Sequence, residues 1–223
     1  MPGMRPRSVL LAASLAALLP ACASRFALPE GSGEGLVSWD RAAPAGAATA
    51  PHPAWKVGDR FVFRRGESVR MAYRVEQADD GGVVLAEEES GLRLALDPEL
   101  GERGQVLPGD PRARRAFDPA DSSWSFPLWV GKRWTCHFLS KRPGEDEAVP
   151  LLVSYHCDAE EEITVPAGTF RCLRVWRRAR VAAKGDFRER TSLSWYAPEV
   201  GWFVRRLTGD ELTELVEVHR QTP

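Results

Sequence analysis

The residues of this 223-residue chain that could bind a metal ion or form a disulfide cluster in two dipeptides. Cys136-His137 lies in the segment KRWTCHFLS, and His156-Cys157 lies in VPLLVSYHCDAEEEITV. Thiolate and imidazole are ligands of zinc and copper, and two cysteines can be joined in an oxidising compartment. Which chemistry is available depends on which side chains share a face.

Both segments alternate apolar and polar residues, which is typical of β-strands. An antiparallel pairing with Cys136 opposite Cys157 puts the apolar residues of both strands on one face. Successive side chains of a strand point to opposite faces, so His137 and His156 lie on the other face as a solvated pair. The four side chains cannot converge on one ion, and we predict no metal and no cofactor.

This register predicts a disulfide between Cys136 and Cys157. Free buried thiols and a bond to Cys172 are the alternatives. The register also places Trp134, Phe138 and Tyr155 on the apolar face. If the sheet is concave there, these three rings could line a ligand cavity.

The remaining cysteine, Cys22, ends a short leader. Two arginines precede an apolar run over residues 9–19, which is too short to span a bilayer. A basic start, a short apolar run and small residues indicate a secretory signal. The end of the leader, Leu19-Pro20-Ala21-Cys22, resembles the bacterial lipobox. The resemblance implies that Cys22 is cleaved at its amine and acylated, whereas an ordinary signal peptide cut nearby is the alternative.

Several acyl chains on one cysteine give a stable membrane anchor, since a single chain binds only reversibly. By resemblance to enteric lipoproteins, Ala23 and Ser24 lack the Asp that retains a protein at the inner membrane. We therefore expect an outer-membrane lipoprotein on the periplasmic side, with palmitate among its acyl chains.

The chain divides into three parts. Residues 1–21 form the signal peptide, and residues 22–53 form the lipidated cysteine and a flexible linker rich in Ala, Gly and Pro. Residues 54–223 are long enough for a single domain. The linker has apolar exceptions that could dock on the domain or on the membrane surface: Phe26, Leu28, Leu36, Val37 and Trp39. A net charge of −1 gives no basis for nucleic-acid binding.

Helix signals are nearly absent from residues 54–223, where short alternating segments are bounded by Gly, Pro and Asp. This pattern predicts an all-β fold, an antiparallel meander curled into a half-open barrel or sandwich. Residues 99–125 are predicted to form a surface loop. Trp55–Phe61 and Leu128–Trp134 share a pattern with Gly before an aromatic strand, which we interpret as two similar strand starts rather than a duplication.

Two other features favour structure over ligand binding. An acidic segment, Asp158–Glu162, faces an arginine-rich segment, Arg171–Arg180, across a turn at Pro166. Opposite charges on paired strands indicate a cross-strand ladder rather than a surface for an anionic partner. The tryptophans of the domain are more typical of the core of a curled sheet, with N–H groups bonded at its rim, than of a cavity; they are Trp55, Trp124, Trp129, Trp134, Trp176, Trp195 and Trp202.

The segment ITVPAGTFRCLRV (163–175), with LSWYAPEVGWFVRR (193–206) after it, resembles a family of bacterial envelope proteins of unknown function. Members of this TapB-like family carry V-P-A-G-T-F and W-Y-x-P-x-V-G in that order. The resemblance implies an antiparallel half-barrel similar to the lipoprotein carriers LolA and LolB, and it implies no catalytic residues.

No nucleophile–base pair, phosphate loop or zinc-protease motif is present, so we predict that the chain is not an enzyme. The function predicted from sequence is binding of an apolar or amphiphilic ligand, such as a lipid or acyl chain, in the concave face. The alternative is an interaction protein that docks on an envelope complex through a sheet edge or a charged hairpin.

Overall fold

The structure is a computed structural model that describes residues 35–38, 42–143, 148–183 and 186–221. Its regular structure consists of strands alone, and no helix in these ranges is long and apolar enough to cross a membrane. The strands are β1 (Gly35–Ser38), β2 (Arg60–Arg65), β3 (Val69–Asp79), β4 (Gly82–Glu87), β5 (Arg93–Leu96), β6 (Glu102–Leu107), β7 (Asp110–Asp121), β8 (Arg133–Lys141), β9 (Val149–Val165), β10 (Gly168–Ala183), β11 (Asp186–Ala197), β12 (Trp202–Thr208) and β13 (Glu211–His219).

Strands β2 to β13 form a closed antiparallel barrel. Each pairs with its neighbour along the chain, and β13 pairs with β2 to complete the circuit. The prediction of an all-β antiparallel sheet that curls is confirmed. Full closure goes beyond the half-open form, because β8 pairs with β9 as well as with β7. Closure leaves no free edge on these twelve strands within the described residues.

The prediction of a surface loop over residues 99–125 is wrong, because this segment contains β6 and β7. The misreading has a physical cause. Both strands direct a charged side chain into the barrel, Glu102 from β6 and Asp121 from β7. Because charged residues take inward positions beside few apolar ones such as Phe117, the alternation that signals a strand is weak in this sequence.

Part of the predicted flexible linker is instead packed on the barrel. Strand β1 pairs with β8, with Leu36 opposite Cys136. Further along, Ala50 is buried and exchanges two main-chain hydrogen bonds with Leu128, at 2.8 and 2.9 Å. The expectation that Leu36 and Val37 dock on the domain agrees with this backbone pairing.

The two similar strand starts occupy equivalent places in the barrel. Gly58 N–H donates to the Val75 carbonyl at 2.9 Å, and Gly131 N–H donates to the Cys157 carbonyl at 2.7 Å. Both glycines have positive φ, 93° and 106°, which favours glycine over any residue with a Cβ. Each initiates a strand pair, β2–β3 in one case and β8–β9 in the other.

A second repeated motif also occurs at equivalent places in the two halves of the barrel. Pro-Glu-Leu-Gly (98–101) joins β5 to β6, and Pro-Glu-Val-Gly (198–201) joins β11 to β12. A register shift precedes each motif, at Ala95/Leu96 and at Trp195/Tyr196. The barrel therefore consists of two halves with matching features, β2–β7 and β8–β13, which favours a duplication over the interpretation from sequence.

An aromatic cluster packs inside the barrel around the start of β12. Trp202 lies at its centre, 8% exposed, with neighbouring ring centroids 5.1–5.8 Å away. Those neighbours are Trp55, Phe61, Phe63, Tyr73 and Phe203. This part of the barrel interior is a packed apolar core.

Candidate functional site: a polar chamber inside the barrel

The three residues predicted to line a cavity all face the barrel interior. Trp134 is fully buried, stacks on Tyr155 at 5.1 Å and donates its Nε1–H to the Ser122 carbonyl. Phe138 is also buried and packs edge-on against Phe117. Of the three, Tyr155 reaches a polar cavity with its hydroxyl, while the other two belong to the core.

The predicted register of β8 and β9 is wrong by four residues. Cys136 lies opposite Val153, and the main chain of Cys157 bonds with that of Lys132. The thiols of Cys136, Cys157 and Cys172 are free and buried. The structure thus corresponds to the alternative of free buried thiols. Burial raises the pKa of Cys136 to about 11 and those of the other two to about 12, so these thiols are unreactive.

A polar cavity of about 200 Å³, here called the chamber, lies inside the barrel beside the aromatic core. Strands β6, β7, β9, β10, β11 and β12 contribute its walls. The polar residues that line it are Glu102, Asp121, Ser123, Tyr155, Arg177, Ser192, Ser194, Arg206 and Thr208. Four charged side chains thus line one cavity inside the barrel, although charged residues are rarely found in protein interiors.

Three chamber residues form a closed hydrogen-bonded cluster. Asp121 is 5% exposed, and its Oδ1 accepts a hydrogen bond from the Tyr155 hydroxyl at 2.5 Å. Arg177 donates to the second Asp121 oxygen at 2.9 Å and to the Tyr155 oxygen at 3.2 Å. Burial raises the pKa of Tyr155 well above its ordinary value. Burial lowers the pKa of Arg177, but Tyr155 and Asp121 outweigh it and hold the guanidinium charged.

Arg206 is paired less completely. Its Nε–H donates to the Ser194 hydroxyl at 3.0 Å, and its guanidinium lies 3.9 Å from the centre of the Phe203 ring. Among the described residues no carboxylate forms an ion pair with it. Burial, with a further contribution from the charge of Arg177, lowers the pKa of Arg206 to about 10. The group remains a cation at neutral pH with unused N–H donors in the chamber.

Glu102 is the second incompletely paired group. Burial and, to a smaller extent, the charge of Asp121 raise its pKa, while the charges of Arg206, Arg115 and Arg177 lower it, and the net pKa is about 7. Within the described residues no hydrogen bond to its carboxyl group is present. At neutral pH the carboxyl is therefore close to half-ionised, and it can donate or accept a hydrogen bond.

We expect stability to depend on pH through Glu102. A folded pKa of about 7 lies above the ordinary 4.5, so its contribution is complete below pH 4.5 and is lost as pH rises through 7. As the pH rises from 4.5 to 8, the free energy of unfolding of Glu102→Gln should increase relative to that of the wild type, by on the order of 1–3 kcal/mol. Urea unfolding at both pH values measures this, with exposed Glu99→Gln as control; a difference that does not vary with pH would contradict the assignment.

Sequence reasoning did not predict the chamber, although one signal was present. Arg177 was assigned to the outer charge ladder, yet it shares strand parity with the apolar residues Val175, Ala179 and Val181. Parity alone therefore places this arginine on the inward face. Glu102, Asp121 and Arg206 gave no comparable signal.

The predicted charge ladder is present on the outer face. Arg174 donates two hydrogen bonds to Asp158, each at 2.9 Å, and Arg171 pairs with Glu160 at 2.6 Å. The V-P-A-G turn joins β9 to β10, with Gly168 at a φ of 140°. These contacts are structural, which agrees with the interpretation from sequence.

No protein-family model matches this chain, and no curated protein matches it. Among solved structures, it is similar to the hypothetical lipoprotein YmcC from Escherichia coli, with 11% identity, a TM-score of 0.48 and coverage of 75% of this chain and 90% of that one. It is also similar to a protein from Bacteroides fragilis described as exported with a YmcC-like fold (16%, TM-score 0.45, 77% and 100%).

A third similar structure is described as a lipoprotein from Parabacteroides distasonis, with 14% identity, a TM-score of 0.48 and coverage of 77% and 100%. Identities and scores this low carry no argument about ligand or activity. The resemblance to the TapB-like family finds no support among these matches.

Proposed function

We propose that this chain is a non-catalytic lipoprotein of the cell envelope that binds a compact anionic group, a carboxylate or phosphate, in the chamber. The observation that carries the proposal is Arg206, a partly buried cation that lines the chamber and whose partners among the described residues are a hydroxyl and an aromatic ring. A buried charge is costly unless it is paired and hydrogen-bonded, so an anion at this position completes the site.

Glu102 supports the same ligand class. Its pKa of about 7 allows the protonated carboxyl to donate to an oxygen of the bound anion, and the ionised form to accept from a hydroxyl or amine. Arg177 is already committed to Asp121 and Tyr155. We therefore assign recognition of the anion to Arg206 and place Glu102 as its neighbour.

The size of the chamber restricts the range of ligands that was expected from the sequence. At about 200 Å³ it is smaller than the roughly 300–1,000 Å³ of pockets that bury drug-sized molecules. The apolar part of the barrel interior is occupied by the aromatic cluster around Trp202. The ligand is accordingly a small acid, or an amphiphile that inserts only its anionic head group.

Binding should depend on Arg206 and not on its neighbour along β12. We expect Arg206→Gln to weaken anion binding at least tenfold, since it removes a charge-assisted donor. Arg205→Gln is the matched control, because Arg205 faces outward and pairs with Glu214 at 2.8 Å. Titration calorimetry of the lipoprotein in detergent, with empty micelles as blank, measures both variants.

The probes are inorganic phosphate and unbranched carboxylic acids from acetate to palmitate. Equal affinity along the series identifies a small acid as the ligand, and affinity that rises with chain length identifies an amphiphile. Absence of binding by every probe, or equal weakening in both variants, would contradict the proposal.

The envelope location rests on the lipobox at Cys22, which lies outside the described residues. An anchored barrel on the periplasmic side of the outer membrane agrees with that motif and with Ala23 and Ser24 after it. Labelled palmitate should enter the wild-type chain and not Cys22→Ser. Absence of label in the wild type would remove the anchor from the proposal without affecting the chamber.

The alternative function, docking through a sheet edge, is less well supported. Strands β2 to β13 pair on both sides, so strand addition has no open edge there to use. The charged hairpin β9–β10 also satisfies its own charges through the outer ladder.

A further inference from the structure

A second candidate site lies on the outer face of the barrel. Three of its strands, β9, β10 and β11, also line the chamber on their inner face. It is a groove of about 480 Å³ that crosses β8 to β11. Trp176 lies in the middle of the groove and is 42% exposed. The polar residues around it are Arg133, Ser154, His156, Arg178, Glu189 and Thr191.

The Trp176 ring is held in a fixed orientation. Its Nε1–H donates to Asp158 Oδ2 at 2.7 Å. Asp158 lies at the register shift between β9 and β10, a bulge that re-aims a side chain. Arg174 fixes the carboxylate with two further hydrogen bonds. The indole is therefore a rigid plate bound through its edge, and its face is available to a ligand.

Hydrogen-bonding groups flank the plate on β9, and Leu193 lies opposite it on β11. His156 lies opposite Trp176 on β9, and Arg178 lies between Ser154 and Thr191 in the register. The other large apolar side chains exposed among the described residues lie on other strands and turns: Val57, Val69, Val106, Val130 and Leu212. Of the residues that line the groove, Trp176 is the one large apolar side chain that is exposed, and Trp134 and Tyr155 are buried.

The charges in the groove are internally paired. Arg178 bonds to Glu189 at 2.8 Å, and Asp158 is satisfied by Arg174 and Trp176. An ionic ligand would have to break these pairs. A neutral ligand with hydroxyl groups can instead use their remaining donor and acceptor positions.

We infer that this groove binds a neutral oligosaccharide. A pyranose ring has a face of C–H groups that packs on an indole face, and a rim of hydroxyls that both donate and accept hydrogen bonds. Arg133 and His156 supply donors on one side of the plate, and Glu189 supplies an acceptor on the other. Three inter-strand spacings of about 4.8 Å make the groove roughly 14 Å wide, which suits a short chain of sugars.

The site is tested by titrating the full lipoprotein with two probes, cellotetraose and the tetramer of N-acetylglucosamine. Trp176→Ala should weaken binding at least tenfold, and Trp176→Phe should retain part of it. Trp195→Ala is the matched control, because Trp195 also lies on the outer face and donates its Nε1–H to a carboxylate, Glu161, at 2.8 Å.

Binding of either tetramer to the wild type and to Trp195→Ala, with loss in Trp176→Ala, supports the inference. Binding of neither tetramer, or equal weakening by both tryptophan variants, overturns it. Thermal unfolding confirms that each variant is folded. Arg206→Gln should leave saccharide binding unchanged, so the groove and the chamber are tested independently.

Discussion

Asp121→Ala is expected to lower the free energy of unfolding by about 3–5 kcal/mol, the cost of removing one partner from a buried ion pair. Asp121 is almost fully buried and accepts hydrogen bonds from both Tyr155 and Arg177. Its removal leaves the Arg177 guanidinium in the chamber without its carboxylate. Urea denaturation measures the change, with Asp118→Ala on the exposed face of the same strand as control.

The double variant Asp121→Ala/Arg177→Met distinguishes the ion pair from packing. If the unpaired charge causes the loss, removing both charges should recover a large part of it, because an apolar replacement of a buried pair is often neutral. A double variant that is less stable than Asp121→Ala would show that the loss arises from packing.

Trp202→Ala should have an effect of similar size, about 3–5 kcal/mol, through a different mechanism. Its ring is 8% exposed and contacts five other aromatic rings from both halves of the barrel. Truncation leaves a large cavity that the surrounding rings cannot fill. The denaturant midpoint reports the loss.

Trp176→Ala is the control for this truncation, because it removes the same side chain from the outer face. It should cost about 1 kcal/mol or less, mainly its hydrogen bond to Asp158. Equal losses in the two variants would contradict the assignment of Trp202 to the centre of the core.

The all-β class was predictable because alternation and glycine turns are local signals. Gly168 and the V-P-A-G motif, for example, form the turn expected of them. The register of β8 and β9 was not predictable from alternation. A shift by four residues, from Cys157 to Val153 opposite Cys136, keeps every apolar side chain on the same face, so both registers satisfy the pattern.

The tryptophans illustrate a prediction that depended only on their chemistry. Buried indoles were expected to find partners for their N–H groups, and Trp55 bonds to the Gly201 carbonyl while Trp134 bonds to that of Ser122. Trp195 and Trp176 bond instead to carboxylates on the outer face. Most of the tryptophans lie in the core, as was expected for a curled sheet.

The chamber could not be predicted because it depends on contacts between distant strands. Asp121 and Arg177 are 56 positions apart, and Glu102 meets them only when the sheet closes. A sequence with charged residues on an inward face also lacks the apolar alternation that identifies strands. The misassigned loop at 99–125 and the missed chamber therefore have the same cause.

Native mass spectrometry of the protein extracted from the cells that make it tests whether the chamber holds an acid in the cell. The wild type should carry a non-covalent mass increment equal to a small acid or an anionic amphiphile, and Arg206→Gln should lack it while Arg205→Gln retains it. A wild-type protein without any increment, or an increment that persists in Arg206→Gln, would contradict anion binding by the chamber.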